Sequence, residues 1–142
     1  MLRLNEKTIA AIHDHGITSY PFEGCGLLLG RVEGDLNIVE DIFPVPNSWP
    51  EEKERTVRFR ISDGDMLQAE LAAAARDLDI VGIFHSHPDS PPIASPRDLA
   101  WAAWPGHSYL ITEISQQQPG RSRSWQLEPD RSGFVEETII VE

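Results

Sequence analysis

Cysteine and long hydrophobic runs are both scarce in this sequence. Only Cys25 among the 142 residues is a cysteine, so no intrachain disulfide can form and nothing indicates an oxidising compartment. The longest apolar stretches, Gly26–Gly30 and Ile80–Phe84, have the length of a strand, whereas a membrane-spanning helix needs about 20 apolar residues. The opening residues, MLRLNEK, lack the apolar segment of a signal peptide. We therefore expect a cytoplasmic protein.

Positively charged residues are also few. Twelve Lys and Arg stand against 23 Asp and Glu, which gives a formal net charge of −11. A surface of that sign repels phosphate backbones and anionic lipids, so we expect neither nucleic-acid binding nor membrane binding. Hydrophobic residues make up 40% of the chain, which is enough for one packed core. We expect residues 1–142 to form a single domain.

Three helices are predicted from apolar spacing and capping signals. In chain order they cover Leu4–His15, with Gly16 as the stop, the Ala-rich residues 63–78, with Ser62 as the N-cap, and Ser95–Trp104, with Pro96 at the first helical position. The last of these follows a Pro-rich loop at 89–94.

Seven segments have the composition and alternation of strands. They are Cys25–Arg31, Leu36–Val45, Thr56–Ile61, Ile80–His87, Ser108–Ile114, Ser124–Leu127 and Phe134–Val141. On the second of them we expect Asn37 and Glu40 to face water, and we expect the PGRSR segment to connect the fifth strand to the sixth. Strands and helices interleave irregularly, which predicts an α/β (α+β) fold with helices packed on a mixed sheet.

The segment with the strongest signal for a functional site begins with His85 and His87. Residues two apart on a strand project to the same side, so the two imidazoles can converge on one ion. Asp98 follows after a loop that can fold back and offer a third ligand, which leaves a fourth position open as in catalytic zinc sites. A His-x-His pair alone is often a coincidence of polar residues. Ser95 with Asp98 is also a helix-capping box that needs no metal.

A hydrolytic metal site also needs a general base, and Glu23 lies just before the strand that starts at Cys25. A glutamate in such a position is usually a solvated loop residue. Its assignment as a base rests on the resemblance described next.

The sequence resembles the JAMM, or MPN+, zinc metalloproteases. The motif of that family is an upstream glutamate, then His-x-His, seven residues, Ser, two residues and Asp. Here seven residues (PDSPPIA) separate His87 from Ser95, and two (PR) separate Ser95 from Asp98. The resemblance extends to Glu23–Gly30 and to the overall length, and it is strongest with the small prokaryotic stand-alone members.

The resemblance implies a role for each motif residue. His85, His87 and Asp98 would hold Zn²⁺, Glu23 would accept the proton of the attacking water, and Ser95 would stabilise the oxyanion. The implied fold is a curved mixed sheet flanked by helices, with the layering also seen in cytidine deaminases. The implied substrate is the Gly-Gly tail of a ubiquitin-like sulfur-carrier protein, cleaved at a peptide or isopeptide bond.

Other functions remain open at this stage. An MPN-type scaffold without activity would bind a protein partner through the same fold. Two His and one carboxylate also suit a non-haem iron site. Cys25 as a nucleophile is disfavoured, because a small apolar strand residue explains it equally well.

The remaining candidates have simpler structural explanations. His13 and His15 point in different directions on a predicted helix, so we expect both to be surface residues. We expect His107 to be a core or solvent-facing residue, although it could support the site. Trp101 and Trp104 are spaced for core packing. Arg58 and Arg60 lie on the predicted third strand, and Arg55 lies directly before it. A solvated strand face is the simpler explanation for these arginines, and contact with an acidic partner is the alternative.

Overall fold

The computed structural model describes residues 1–142, which build one eight-stranded mixed sheet with three α-helices. The strands are β1 Leu2–Leu4, β2 Cys25–Glu33, β3 Leu36–Val45, β4 Asp79–Pro88, β5 Ser108–Ser115, β6 Gln118–Leu127, β7 Phe134–Glu137 and β8 Ile139–Val141. The helices are α1 Glu6–Ser19, α2 Asp63–Ala74 and α3 Pro96–Trp101, and a 3₁₀ turn covers Glu52–Thr56. None of the helices has the length and apolarity that a membrane crossing requires.

The sheet is strongly curved, and its strand order shows why. The order is β7-β6-β5-β4-β2-β3-β1-β8, so β7 and β8 occupy opposite edges although Thr138 alone separates them in the chain. Eight flat strands would hold their edges roughly 34 Å apart at about 4.8 Å per spacing, far beyond the reach of a one-residue link. The sheet must therefore curl until its edges meet. The terminal ammonium of Met1, next to β1, pairs with Glu137 Oε1 of β7 at 3.0 Å across this closure.

Two cores form on the two faces of the sheet. Helix α1 contacts β3, β4, β5 and β6, which shows that it lies within the curve, and its Ile12 packs with Leu28 and Phe84. Helix α2 packs on the outer face, where Ala69 and Ala73 meet Leu27. The alternation of neighbouring β2 residues between the two cores follows from the two-residue repeat of a strand. The predicted class, a curved mixed sheet flanked by helices, is confirmed.

The first predicted helix has different ends from those expected. Leu4 belongs to the buried strand β1, which pairs in parallel with both β3 and β8. The helix starts after Asn5, whose side chain accepts from the Thr8 N–H at 2.8 Å. Gly16 does not stop the helix, because it is a point of close packing: a Cβ there would lie 3.0 Å from the Ile114 side chain.

The strand predicted over Thr56–Ile61 is wrong. The segment leaves the 3₁₀ turn as an irregular loop, and its backbone bonds go to the loop after β3 instead of to a ladder. Asn47 Nδ2 donates to the Arg58 carbonyl at 2.8 Å, and the Ser48 N–H donates to the Arg60 carbonyl at 2.9 Å. The alternation of arginines along the segment mimicked a strand.

Two connections near the end of the chain also differ from the prediction. The PGRSR segment lies within β6, because the strand begins at Gln118. The turn into it is made by Gln116 and Gln117, both with positive φ (50° and 64°), a conformation that glycine or asparagine usually signals. The predicted last strand divides at Thr138 into β7 and β8.

Asn37 is buried rather than facing water, whereas Glu40 is exposed as expected. Asn37 Nδ2 donates to the Gly106 carbonyl at 3.0 Å and to Ser108 Oγ at 2.9 Å. Because β3 and β5 are separated by two strands in the sheet, this contact is another consequence of its curvature.

We predict that Asn37→Ala lowers the free energy of unfolding by about 1–3 kcal/mol, since it leaves buried polar partners unpaired. Glu40→Ala on the same strand serves as the control. It removes only an exposed pair with Arg31, worth about 0.2–1 kcal/mol. Urea denaturation of the two variants measures the difference. If both variants lost the same free energy of unfolding, the role of Asn37 in stabilising the curved sheet would be contradicted.

Candidate metal centre

His85 and His87 lie on β4, as predicted, and their rings meet on one side of the strand. Their centroids are 4.9 Å apart and both side chains are buried. Ser86 points to the opposite side, where its Oγ accepts from the Gly24 N–H at 2.7 Å. The prediction that the two imidazoles project together is therefore confirmed.

Asp98 completes a cluster with the two histidines. His85 Nε2 lies 3.2 Å from Asp98 Oδ1, and His87 Nε2 lies 3.2 Å from Asp98 Oδ2. The two Nε2 atoms are 3.1 Å apart, and the candidate ligand atoms of the three residues all lie within 4.8 Å of one another. The cluster could hold a metal ion.

Asp98 reaches this cluster from the first turn of α3, where it is also part of a capping box. Ser95 Oγ accepts from the Asp98 N–H at 3.1 Å, and Asp98 Oδ2 accepts from the Ser95 N–H at 2.8 Å. The capping box therefore leaves the Asp98 carboxylate in contact with both histidines. Burial raises the pKa of the Asp98 carboxyl, but contacts with His85 and the Ser95 N–H outweigh burial and hold that pKa below its usual range.

The histidine rings are held in place by different contacts. His87 Nδ1 lies 2.7 Å from the Pro91 carbonyl, which only accepts, so this nitrogen carries the proton. The His85 ring stacks on Phe59, with centroids 4.5 Å apart and planes at 27°. Burial lowers the pKa of His85, although Asp98 opposes the shift, and burial thereby favours the neutral form that binds metals.

This arrangement fits a bound cation. The tautomer of His87 with its single proton on Nδ1 has its lone pair on Nε2, which lies 3.2 Å from Asp98 Oδ2. A lone pair facing a carboxylate oxygen is repulsive in a buried site, and a cation between the two removes the repulsion. Two imidazoles with one carboxylate are a donor set that suits a borderline divalent ion such as zinc.

Glu23 lies beside this cluster, because β2 begins at Cys25 and Cys25 pairs with His85. The residue is buried, only 4% exposed, and its Oε1 atom has no hydrogen-bond partner. Burial, reinforced by the charge of Asp98, raises the pKa of Glu23 to about 9. It is not the solvated loop residue that its position in the sequence suggests.

An apolar cavity of about 250 Å³ opens next to His85 and Asp98. Its walls include Phe59, Met66 and Trp101. Trp101 is 62% exposed and Trp104 is 40% exposed, so the prediction that these tryptophans pack in the core is wrong. The helix is shorter than predicted, and Trp104 lies beyond its end.

Cys25 and two of the remaining histidines are accounted for by packing. Cys25 is fully buried, and burial raises its pKa to about 12, which favours the protonated thiol over the nucleophilic thiolate. His15 is not a surface residue, because its Nε2 is buried and its ring meets the edge of Phe84. His107 packs near the Trp104 ring, at 5.9 Å between centroids.

The arginines at 55, 58 and 60 do not share a strand face. Arg55 Nε donates to the Trp49 carbonyl at 2.7 Å. The Arg58 guanidinium lies 4.8 Å from the centre of the Trp49 ring and pairs with Glu54 at 3.3 Å. Arg60 is exposed at the mouth of the cavity.

Sequence reasoning missed four residues that shape the site. Phe59 and Pro91 orient the histidines, Ser86 ties β4 to the start of β2, and Asn47 donates to the Glu23 carbonyl at 3.0 Å. Only Ser86 carries a sequence signal, its place between two candidate ligands. The others act through contacts between distant segments or through a main-chain carbonyl.

The chain is similar in sequence to three curated prokaryotic proteins. Over 91 residues it is 35% identical to the desampylase of Haloferax volcanii, covering 64% of this chain and 62% of the relative. It is 36% identical to a probable TtuB-protein conjugate cleaving protease of Thermus thermophilus, covering 63% and 55%. The desampylase of Pyrococcus furiosus is 32% identical over 127 residues, covering 89% and 81%. The chain thus matches less than two thirds of the length of the first two relatives.

Solved structures share the fold. A protein from Desulfitobacterium hafniense superposes with a TM-score of 0.86 at 31% identity, covering 100% of this chain and 93% of that one. A JAB1/MPN domain protein from Archaeoglobus fulgidus gives a TM-score of 0.64 at 16% identity, covering 99% and 97%, which shows the fold alone. The model of the family described as prokaryotic homologs of the JAB domain matches residues 5–128. Because that match spans most of the chain, and the Pyrococcus furiosus relative is 32% identical over 89% of it, the chain belongs to the family of prokaryotic homologs of the JAB domain.

Proposed function

We propose that this chain is a JAMM-type zinc hydrolase that cleaves peptide or isopeptide bonds at the C-terminal tail of a ubiquitin-like sulfur-carrier protein. One observation carries the proposal: the ligand atoms of His85, His87 and Asp98 lie within 4.8 Å of one another, next to the buried carboxylate of Glu23. The names of the relatives support it, since two are desampylases and one is a protease that cleaves TtuB-protein conjugates.

In the proposed site His85, His87 and Asp98 hold the ion. When bound, zinc supplies a Lewis acid that polarises the scissile carbonyl and lowers the pKa of water toward about 7. The Pro91 carbonyl keeps the proton of His87 on Nδ1, and the capping box keeps the Asp98 carboxylate on the histidines. Each ligand is thus oriented by a neighbour that is not itself a ligand.

Glu23 is the proposed general base. Its free Oε1 takes a proton from the attacking water and passes it to the leaving amine. Burial favours the neutral form of this carboxyl, and a neighbouring divalent cation opposes that preference. The residue is therefore poised to hold a proton during the reaction and to release it afterwards.

Ser95 is the proposed oxyanion-stabilising group. Its Oγ already accepts from the Asp98 N–H, which leaves the hydroxyl hydrogen available to donate. The residue is half-buried beside the ligand cluster, so that hydrogen can reach a negatively charged oxygen formed there.

The substrate tail is proposed to lie along the cavity beside His85. An extended Gly-rich segment can approach the ligand cluster closely because it lacks side chains. Arg58 and Arg97 line a small recess next to Asp98. Arg60 and the exposed Asp63 line the cavity, so this rim has three arginines against one exposed carboxylate, although the chain as a whole is acidic. That local charge favours an acidic carrier. A cytoplasmic location and a single domain over residues 1–142 remain part of the proposal.

Metal analysis tests the site first. We expect one zinc per purified chain and its loss in His87→Ala, because two remaining ligands hold the ion poorly. His107→Ala, which removes a half-buried histidine outside the cluster, should retain full stoichiometry. Stoichiometric iron in the wild type, or zinc retained in His87→Ala, would contradict the assignment.

Glu23→Gln separates metal binding from catalysis. The amide keeps the size of the side chain but cannot accept the proton, so we expect unchanged zinc content and turnover lower by about 10²–10⁴-fold. Glu40→Gln, an exposed change on β3, is the matched control and should match the wild type. Turnover of Glu23→Gln within a few-fold of wild type would remove this residue from the mechanism.

Substrate class is tested with carrier proteins extended beyond their Gly-Gly ends and with unstructured peptides of the same tail sequence. We expect the zinc form to release the extension from the folded carriers faster, because the basic rim contacts the body of the carrier; mass spectrometry follows the products. Equal cleavage of both sets would indicate a general peptidase. Cleavage of neither, with zinc bound, would favour the inactive scaffold.

A further inference from the structure

Asn47, in the loop after β3, uses its full hydrogen-bonding capacity next to the site. Its Nδ2 donates to the Glu23 carbonyl at 3.0 Å and to the Arg58 carbonyl at 2.8 Å. Its Oδ1 accepts from the Trp49 N–H at 3.1 Å and from the Arg60 N–H at 3.3 Å. An asparagine amide offers two N–H groups and one oxygen with two lone pairs, so all four positions are filled.

These bonds connect Glu23 to one segment of the chain. The Glu23 carbonyl is held by Asn47, and the Glu23 N–H donates to the Arg55 carbonyl at 2.7 Å. The carboxylate itself has an unpartnered Oε1. Because that oxygen has no partner to fix it, the direction of the side chain depends on how firmly the backbone of Glu23 is held.

The same amide also fixes a contact of the metal centre. Asn47 binds the backbone of Arg58 and Arg60, the two neighbours of Phe59. Phe59 stacks on the His85 ring at 4.5 Å. One side chain therefore sets the position of the proposed base relative to the residue that packs on a proposed ligand.

Building on the proposed hydrolase function, we propose that Asn47 is a positioning residue, which joins the Glu23 carbonyl to the backbone on both sides of Phe59 and thereby holds the base in its reactive geometry. Displacement of a reacting group by about 1 Å is enough to cost on the order of 10²-fold in rate. Asn47 does not touch the substrate in this scheme, and it acts only through Glu23 and Phe59.

Asn47→Asp is the informative variant. It keeps the size and the acceptor oxygens for Trp49 and Arg60, but it replaces the Nδ2 donors with an oxygen that faces two carbonyls. We expect zinc content to stay at one per chain, kcat to fall about 10–100-fold and KM to stay within about 3-fold. Ser48→Ala is the control, since it removes a neighbouring bond to the Arg60 carbonyl (2.9 Å) that does not involve Glu23.

A double-mutant cycle distinguishes positioning from general stability. In the Glu23→Gln background the base is absent, so Asn47→Asp should lower the residual turnover by less than about 3-fold. The proposal would be overturned if Asn47→Asp lowered turnover equally in both backgrounds. It would also be overturned if the variant changed only KM or lost its zinc. Wild-type cleavage together with full kcat in Asn47→Asp would refute this inference while leaving the proposed function intact.

Hydrogen exchange of the zinc-free protein gives a readout that does not depend on activity. We expect the protection of the Glu23 amide to fall about 10-fold in Asn47→Asp and to stay unchanged in Ser48→Ala. Asn47→Ser, which retains an acceptor for the Trp49 N–H, provides the same test should the first variant fold poorly. If the Glu23 amide of a folded Asn47 variant is as protected from exchange as it is in the wild type, the proposal is overturned. This outcome decides the proposal even if the wild-type protein cleaves none of the substrates offered.

Discussion

The antiparallel pairing of β2 with β4 is the constraint on which the candidate site depends. Ser86 and Gly24 exchange two hydrogen bonds, from the Gly24 N–H to Ser86 Oγ and from the Ser86 N–H to the Gly24 carbonyl. This register sets Glu23 beside the two histidines of β4. A slip of one residue would turn the histidines to the opposite face, because side chains alternate along a strand. Strand pairing therefore fixes the proposed base against the proposed ligands before any metal binds.

The curvature of the sheet also stabilises the pairing of β2 with β4, through residues that lie outside the candidate site. Closure of its edges at Thr138 encloses α1 on one face and α2 covers the other face, so β2 and β4 have a buried core on each face. Buried strands admit little water to compete for their hydrogen bonds, and Glu23 and His85 share that dry environment. The same burial that raises the pKa of Glu23 lowers the pKa of His85, since both shifts disfavour a charge away from water.

The segment between β3 and α2 forms part of the cavity wall beside the ligand cluster. It is an irregular loop, and Phe59 and Arg60 on it line the cavity beside His85. Trp101 of α3 also lines this cavity and meets Trp49 edge-on at 5.7 Å between centroids. An apolar cavity with a basic rim thus lies on a strongly acidic chain. In the proposed function this contrast directs a Gly-rich tail toward the ligand cluster.

The sequence by itself determined the family motif, the helix α2 and its Ser62 cap, the buried strands β2, β3 and β4, and the convergence of His85 with His87. These features depend on residue spacing and local capping, which are properties of short segments. Only the tertiary structure decided that Asn37 is buried, that Thr56–Ile61 is a loop, that Trp101 is exposed and that β7 and β8 lie at opposite edges. Each of those outcomes depends on hydrogen bonds or packing between segments far apart in the chain, and no local pattern records which distant group will satisfy a polar atom.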